Sequence, residues 1–406
     1  MSAHTSATIP SDVQTRIASG SRWTSYPKIF GAVGVVSLVL AYVLGMDHHA
    51  ERFNFSYLVA FMWGLSIALG GLFFVIIQFL AKAGWSVVVR RIAENIMGTL
   101  PLFAVLFIPI AFGASHTYHH WWHYEVGSGD PILDHKAGYL NPTFFYIRAA
   151  FYLVVWGVLG TMFRRLSTQQ DQSGDHDITR SLQWRSAPAL LLFALTLTFA
   201  AIDWMMSLEP HWFSTIWGVY YFAGSVIALF SMMAILVRWF QRDGMVRKII
   251  NTEHYHDIGK LLFGFVVFWT YIAFSQYMLI WYANIPEETL WYEHRSHGGW
   301  RTVGIMLIVG HFFIPFFFLI SRVMKRNPVT LVIAAVWMLV LHYVDLYFII
   351  MPVLDDHGPH PGLVDLFSLL GVFSLFFATF AFLAAKAELV PVKDPRLPES
   401  LRFENF

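Results

Sequence analysis

The stretch 257-DIGKLLFGFVVFWTYIAFSQYMLIWYANIPEETLWYEHRSHGGWR-301 holds an apolar run long enough to cross a bilayer, and it empties into an acidic, aromatic loop. A transmembrane helix needs about 20 mostly apolar residues. The run opens on Asp257 and Lys260 and carries Thr270, Ser275, Gln276 and Tyr277 inside it. Polar groups are costly in hydrocarbon and usually face a bundle interior or a water-filled cavity. The expectation is a helix around which the other spans pack.

Composition extends this reading to the whole chain. Hydrophobic residues make up 57% and charged residues 13% of 406, against about 25% charged in a soluble domain. The fold class is therefore an all-α integral membrane protein. Spans fall at about 27–46, 55–80, 86–113, 142–163, 186–207, 215–239, 258–283, 301–321, 328–351 and 362–385, ten in number. They divide the chain into an N-terminal segment 1–26, a membrane domain 27–385 and a tail 386–406, with no room for a soluble domain. Residues 1–26 are polar and lack the apolar core of a signal peptide, so the first span is expected to act as the insertion signal. The chain has no Cys, which excludes cysteine-ligated iron–sulfur clusters and covalently attached c-type haem within it.

Charge orients the spans. With the N-terminus inside, 22 of the 27 basic residues fall on inner segments, while Arg52, Lys136, Arg295 and Arg301 lie outside and Arg148 lies within a span. The positive-inside rule then puts both termini in the cytoplasm. Histidine shows the opposite bias: positions 48, 49, 116, 119, 120, 123, 135, 211, 294, 297, 357 and 360 all fall outside. In the densest group, His116-Thr-Tyr-His-His-Trp-Trp-His123, a helical turn would put His119 and His123 on one face. A Trp/His belt at headgroup level explains the group without a metal, and no metal is expected in the chain.

Several ionisable residues lie at membrane depth. Glu94 follows Arg90 and Arg91 at helical spacing, and the arginines read as snorkelling to the interface. Pro101 and Pro109 each remove a backbone hydrogen bond from the third span and allow a kink. Arg148 needs a partner that spacing does not identify. Asp203 closes the fifth span, either as a helix-end group or as part of a proton relay. His342 and Asp345, three apart near the middle of the ninth span, share a face, and His311 lies at similar depth in the eighth. An aspartate beside an imidazole orients the ring and tunes its protonation. Ordered by depth, Glu94 and Lys260 lie near the cytoplasm, His311 and His342 near the midplane, Asp345 just beyond, and Asp203, Asp365, Glu287 and Glu288 near the outside. That is the layout of a proton path, or of a quinone pocket with a proton exit.

The segments FAAIDWMMSLEPHWFST (199–215) and HDIGKLLFGFVVFWTYIAFSQYMLIWYANIPEE (256–288) resemble the second quinone-type membrane subunit of bacterial alternative complex III, the ActF family, related to ActC and to the NrfD/PsrC membrane proteins. The resemblance implies two four-helix bundles, here about 55–207 and 215–351, with flanking helices 27–46 and 362–385. It also implies a place in a quinol:cytochrome c or electron-carrier oxidoreductase of the bacterial cytoplasmic membrane. Partners would be an ActC-like sister, iron–sulfur and haem c subunits and the lipid bilayer; no nucleic-acid partner is expected. No cofactor is expected in this chain itself, with bound menaquinone or another quinone left open. Its role would be support and proton movement. The alternatives are a quinol-binding subunit of this or a PsrC-like complex, and an independent ion-coupled transporter.

Overall fold

The computed structural model describes residues 9–10, 12–46 and 51–405; His48 and His49 lie outside the described residues. In chain order the α-helices are α1 Tyr26–Leu44, α2 Glu51–Leu80, α3 Val87–Met97, α4 Leu100–Leu106, α5 Ile108–Thr117 and α6 His119–Trp122. Next come α7 Pro131–Lys136, α8 Pro142–Ser173, α9 His176–Trp204, α10 Trp217–Arg242, α11 Thr252–Ala283 and α12 Pro286–Arg295. The last are α13 Gly298–Leu307, α14 Ile314–Leu319, α15 Arg322–Arg326, α16 Pro328–Ile350, α17 Leu363–Ala385 and α18 Leu397–Leu401. Among the described residues there is no strand, only an isolated parallel bridge between Gln14 and Met245. Among the described residues nine helices are long and apolar enough to cross a membrane, or ten if the bent pair Val87–Leu106 and Ile108–Thr117 is one span. The chain is a multi-pass membrane protein.

The 53° bend in that pair falls at Phe107. Pro101 and Pro109 each sit in the first turn of a new helical segment, where a missing N–H costs least. The Tyr57 hydroxyl donates to the carbonyl of Leu106 at the break, at 2.6 Å.

The centre of the bundle is not the helix with which the sequence reading begins. In α11 only 33% of the most apolar window is buried, against 89% in α2 and 83% in α10. The reason is visible in its polar residues. Beyond the buried His254, His256 and Asp257 of its first turns, only Gln276 among its polar side chains is buried, between Ser214 and Tyr292. Thr270 satisfies itself on the carbonyl of Val266, four residues back, as helical threonines can. Tyr271, Leu279, Trp281 and Tyr282 face outward. By contrast α2 and α10 are apolar all round, the mark of a central helix, and they meet through small residues. A Cβ on Gly70 would stand 2.4 Å from the carbonyl oxygen of Ser225, so only glycine permits this approach, as in small-residue membrane interfaces. Around this pair, α2 packs on α3, α5, α9 and α17, and α10 on α9, α11 and α16, while α1 lies along α17.

The described terminal segments, from about residue 12 and up to 405, lie at one end of the bundle. Thr15 binds Glu388, Trp23 binds Asp243 in the α10–α11 loop, Lys393 donates to the Gln172 carbonyl and Ser400 to that of Trp85. At the other end, Trp121 donates to Ser207, Lys136 to Pro210, Trp212 to Glu288 and Trp300 to Asp355, each to a backbone carbonyl.

Candidate functional site

Three helices and one irregular turn bring the central polar groups together. The eighth span is not a continuous α-helix: Ile308–Phe313 form a π-helical segment between α13 and α14. Pro315 lacks the N–H that an α-helical bond to the His311 carbonyl requires, and the wider π turn relieves that mismatch. Ile314 N–H accordingly reaches back to Val309, five residues away, and the Trp337 indole donates to the carbonyl of Gly310 at 2.7 Å. Such π segments are frequent at functional sites. Here the turn holds His311 inward, fully buried, with the Trp269 ring 3.8 Å away.

His342 and Asp345 come from α16, one turn apart. One ligand atom from each of His311, His342 and Asp345 lies within 4.8 Å of the other two, and all three residues are buried. Asp345 accepts from the Tyr220 hydroxyl at the start of α10, and the Tyr220 ring packs on Trp269, centroids 5.5 Å apart. His342 Nε2 lies 2.9 Å from Ser66 Oγ on α2, and Ser66 Oγ lies 2.6 Å from the Trp63 carbonyl. The single Ser66 proton therefore goes to that carbonyl, and His342 Nε2–H is the donor. This assigns the tautomer from the network and leaves Nδ1 as the bare nitrogen. Room for the ring is made by Gly224, where a Cβ would come within 2.6 Å of His342 Cε1.

Three of the four ring nitrogens, His311 Nδ1, His311 Nε2 and His342 Nδ1, have no protein partner. An unsatisfied buried polar group costs about 1–3 kcal/mol, so these positions are retained against a penalty. Two imidazoles and a carboxylate suit a mobile proton, and the same donors also suit a divalent transition metal. No metal was expected from the sequence; the fold nevertheless gathers a donor set of the right type.

The other expected residues are placed differently. Glu94 is fully buried with Arg90 at 3.1 Å and Arg91 at 2.7 Å; Arg90 also holds Asp394 and Arg91 holds Asp171. The arginines do not snorkel, because carboxylates from the α8 end and the C-terminal segment come to them. Asp203 accepts from Arg148 at 2.7 and 3.1 Å and from Tyr152 at 2.8 Å, which gives Arg148 its partner. Asp365 is held by Arg52, Ser56 and the N–H of Gly362 as a cap of α17. Lys260 pairs with Asp257 and donates to Asn405 at the terminal end. Glu287 is exposed in the first turn of α12. None of these five touches the central cluster. In the segment between α5 and α8, His119 and His120 are exposed, with ring centroids 4.0 Å apart, while Trp121 turns inward.

A second group, absent from the sequence reading, lies one turn beyond Asp345. Arg295 donates to the carbonyls of Phe348 and Ile349 at the end of α16, and pairs with Glu209 at 2.7 Å. Burial pushes the Glu209 carboxyl up, but Arg295 and His294 outweigh it and hold it below its ordinary range. His294, hydrogen-bonded to Glu209, is raised. Nothing local marked Ser66, Tyr220 or Gly224 either, since each sits in an apolar run. The one available signal was the GLSIALGG run of small residues at 64–71. No protein-family model matches the chain, and no curated protein matches it.

Proposed function

We propose that the chain is the proton-conducting membrane subunit of a quinol:cytochrome c or electron-carrier oxidoreductase of the alternative complex III type, in a bacterial cytoplasmic membrane with both termini in the cytoplasm. The observation that carries this reading is the buried His311–His342–Asp345 cluster with its unpartnered ring nitrogens. Groups that change protonation state are tolerated at such depth when they work together. A Cys-free chain agrees with redox centres held elsewhere, in iron–sulfur and haem c partners beside an ActC-like sister. In this reading the imidazoles exchange a proton with Asp345, Tyr220 carries the hydrogen bond outward, and Glu209, Arg295 and His294 form the exit. That exit replaces Asp203 and Glu287, which stand apart from the cluster.

Asp345→Asn tests it. The amide keeps the shape and can still accept from Tyr220, yet removes the exchangeable proton. The variant complex should assemble with its partners and lose quinol-driven proton translocation in liposomes. Lumen acidification equal to that of the parent would make Asp345 structural and sink the reading. Purification of the chain alone, without haem or iron–sulfur subunits, would favour an independent transporter.

A further inference from the structure

A groove of about 920 Å³ runs down the outer face of α8, within the size range of ligand sites, about 300–1,000 Å³. One wall is Pro101 and Ala104 of α4; the floor is the helical stripe Ala150, Val154, Gly157 and Thr161, continuing to Arg165 and Gln169. From Ala150 to Arg165 is about 22 Å at 1.5 Å per residue, more than one leaflet of a hydrocarbon core about 30 Å thick. Small side chains make the floor hollow: a Cβ on Gly157 would meet only the Cα of Pro101, at 4.0 Å.

The polar end of the groove is built differently from the rest of the bundle's basic residues. Arg165 and Arg185 both line it, and neither forms an ion pair among the described residues. Arg185 reaches only Ser181 and the sulfur of Met162, and the Arg165 side chain makes no hydrogen bond among the described residues. The adjacent Arg164 is committed, to Asn95 and the Leu383 carbonyl. Two unneutralised guanidiniums sit at the end of an apolar trough, and Trp184, next to Arg185 in the chain, is 77% exposed. Trp at that position marks the headgroup level.

We infer that this groove is a binding site for an anionic phospholipid, with an acyl chain along Ala150–Thr161 and the phosphate between Arg165 and Arg185. Guanidinium forks match phosphate oxygens bidentately, and basic pockets between spans at this level take anionic headgroups. Apolar contact alone would not distinguish a lipid from the bulk bilayer; the paired arginines supply the selectivity.

The complete assembly, purified in mild detergent, is examined by native mass spectrometry for retained lipid, and after delipidation is titrated with phosphatidylglycerol or phosphatidylcholine. Phosphatidylglycerol should be retained and should rebind. Arg165→Gln with Arg185→Gln should weaken it roughly thirtyfold, from about fivefold for each charge near a surface. Gly157→Phe, which projects into open space and leaves the helix contacts intact, should displace the chain and abolish retention while the protein stays monodisperse. Phosphatidylglycerol bound at the parental affinity by the arginine variant, or retained by Gly157→Phe, overturns the proposal. So does equal binding of phosphatidylcholine, a quinone or partner helix found in the groove instead, or the same thermal shift from inorganic phosphate alone.

Discussion

Replacing Asp203 by Asn should destabilise the protein by about 3–5 kcal/mol, the cost of breaking a buried ion pair from one side. Arg148 and Asp203 are both under a tenth exposed, and the carboxylate accepts three hydrogen bonds, two from Arg148 and one from Tyr152. The amide retains one acceptor oxygen and leaves the guanidinium without its counter-charge. Part of the loss is cushioned. Arg148 keeps its bond to the Tyr139 carbonyl at 2.8 Å and its place over the Tyr139 and Phe144 rings, at 3.8 and 4.3 Å. Each desolvated cation–π contact holds on the order of 0.5–2 kcal/mol, so the lower end of the range, about 3 kcal/mol, is expected. Arg148→Met with Asp203→Leu removes both charges and should cost less than Asp203→Asn alone, because no buried charge is left unpaired. The assay is denaturant unfolding in detergent followed by tryptophan fluorescence, closed as a double-mutant cycle. A cost below about 1 kcal/mol for Asp203→Asn, or a double variant as damaged as the sum of the singles, would refute a structural ion pair. Loss of proton translocation without loss of stability would return Asp203 to the proton path.

Gly224→Ala places a methyl group against the His342 ring; overpacking costs about 1–3 kcal/mol, and proton translocation should fall more steeply than yield, whereas undiminished translocation would show that His342 need not hold its place. The chain's lack of Cys allows single labels: Arg242→Cys should react with an impermeant maleimide only from the cytoplasmic side and Ser128→Cys only from the other, and the reverse pattern would invert the topology. The Glu209–His294 contact should be pH-dependent. His294, raised, stabilises below its ordinary 6.5 and loses that contribution as pH climbs through its higher folded value; Glu209, lowered, stabilises above its ordinary 4.5 and loses it as pH falls through its lower folded value. The melting difference between the parent and His294→Ala should therefore peak between 4.5 and 6.5 and shrink in alkali; a difference constant with pH would contradict it.

The sequence by itself determined that this is an all-α, multi-pass membrane protein, where its spans fall, and which segments carry the basic residues. Those properties are summed over runs of about 20 residues, so local hydropathy and charge suffice. Single residues also declared themselves where one helix sets the geometry: His342 and Asp345 share a face because they are three apart, and Pro101 and Pro109 mark the broken third span. Tertiary structure decided what depends on which faces meet. It put α2 and α10 at the centre instead of the span with the most conspicuous polar residues, because inward direction rather than polar content fixes a helix's place. The Glu94 pairing with Arg90 and Arg91 was legible from their spacing, but tertiary structure brought Asp394 and Asp171 to those arginines and paired Asp203 with Arg148 and Asp365 with Arg52. It brought His311 to α16 through a π turn, and set Ser66, Tyr220 and Gly224 around His342 and Asp345, residues whose part in the cluster exists only once three helices are in contact.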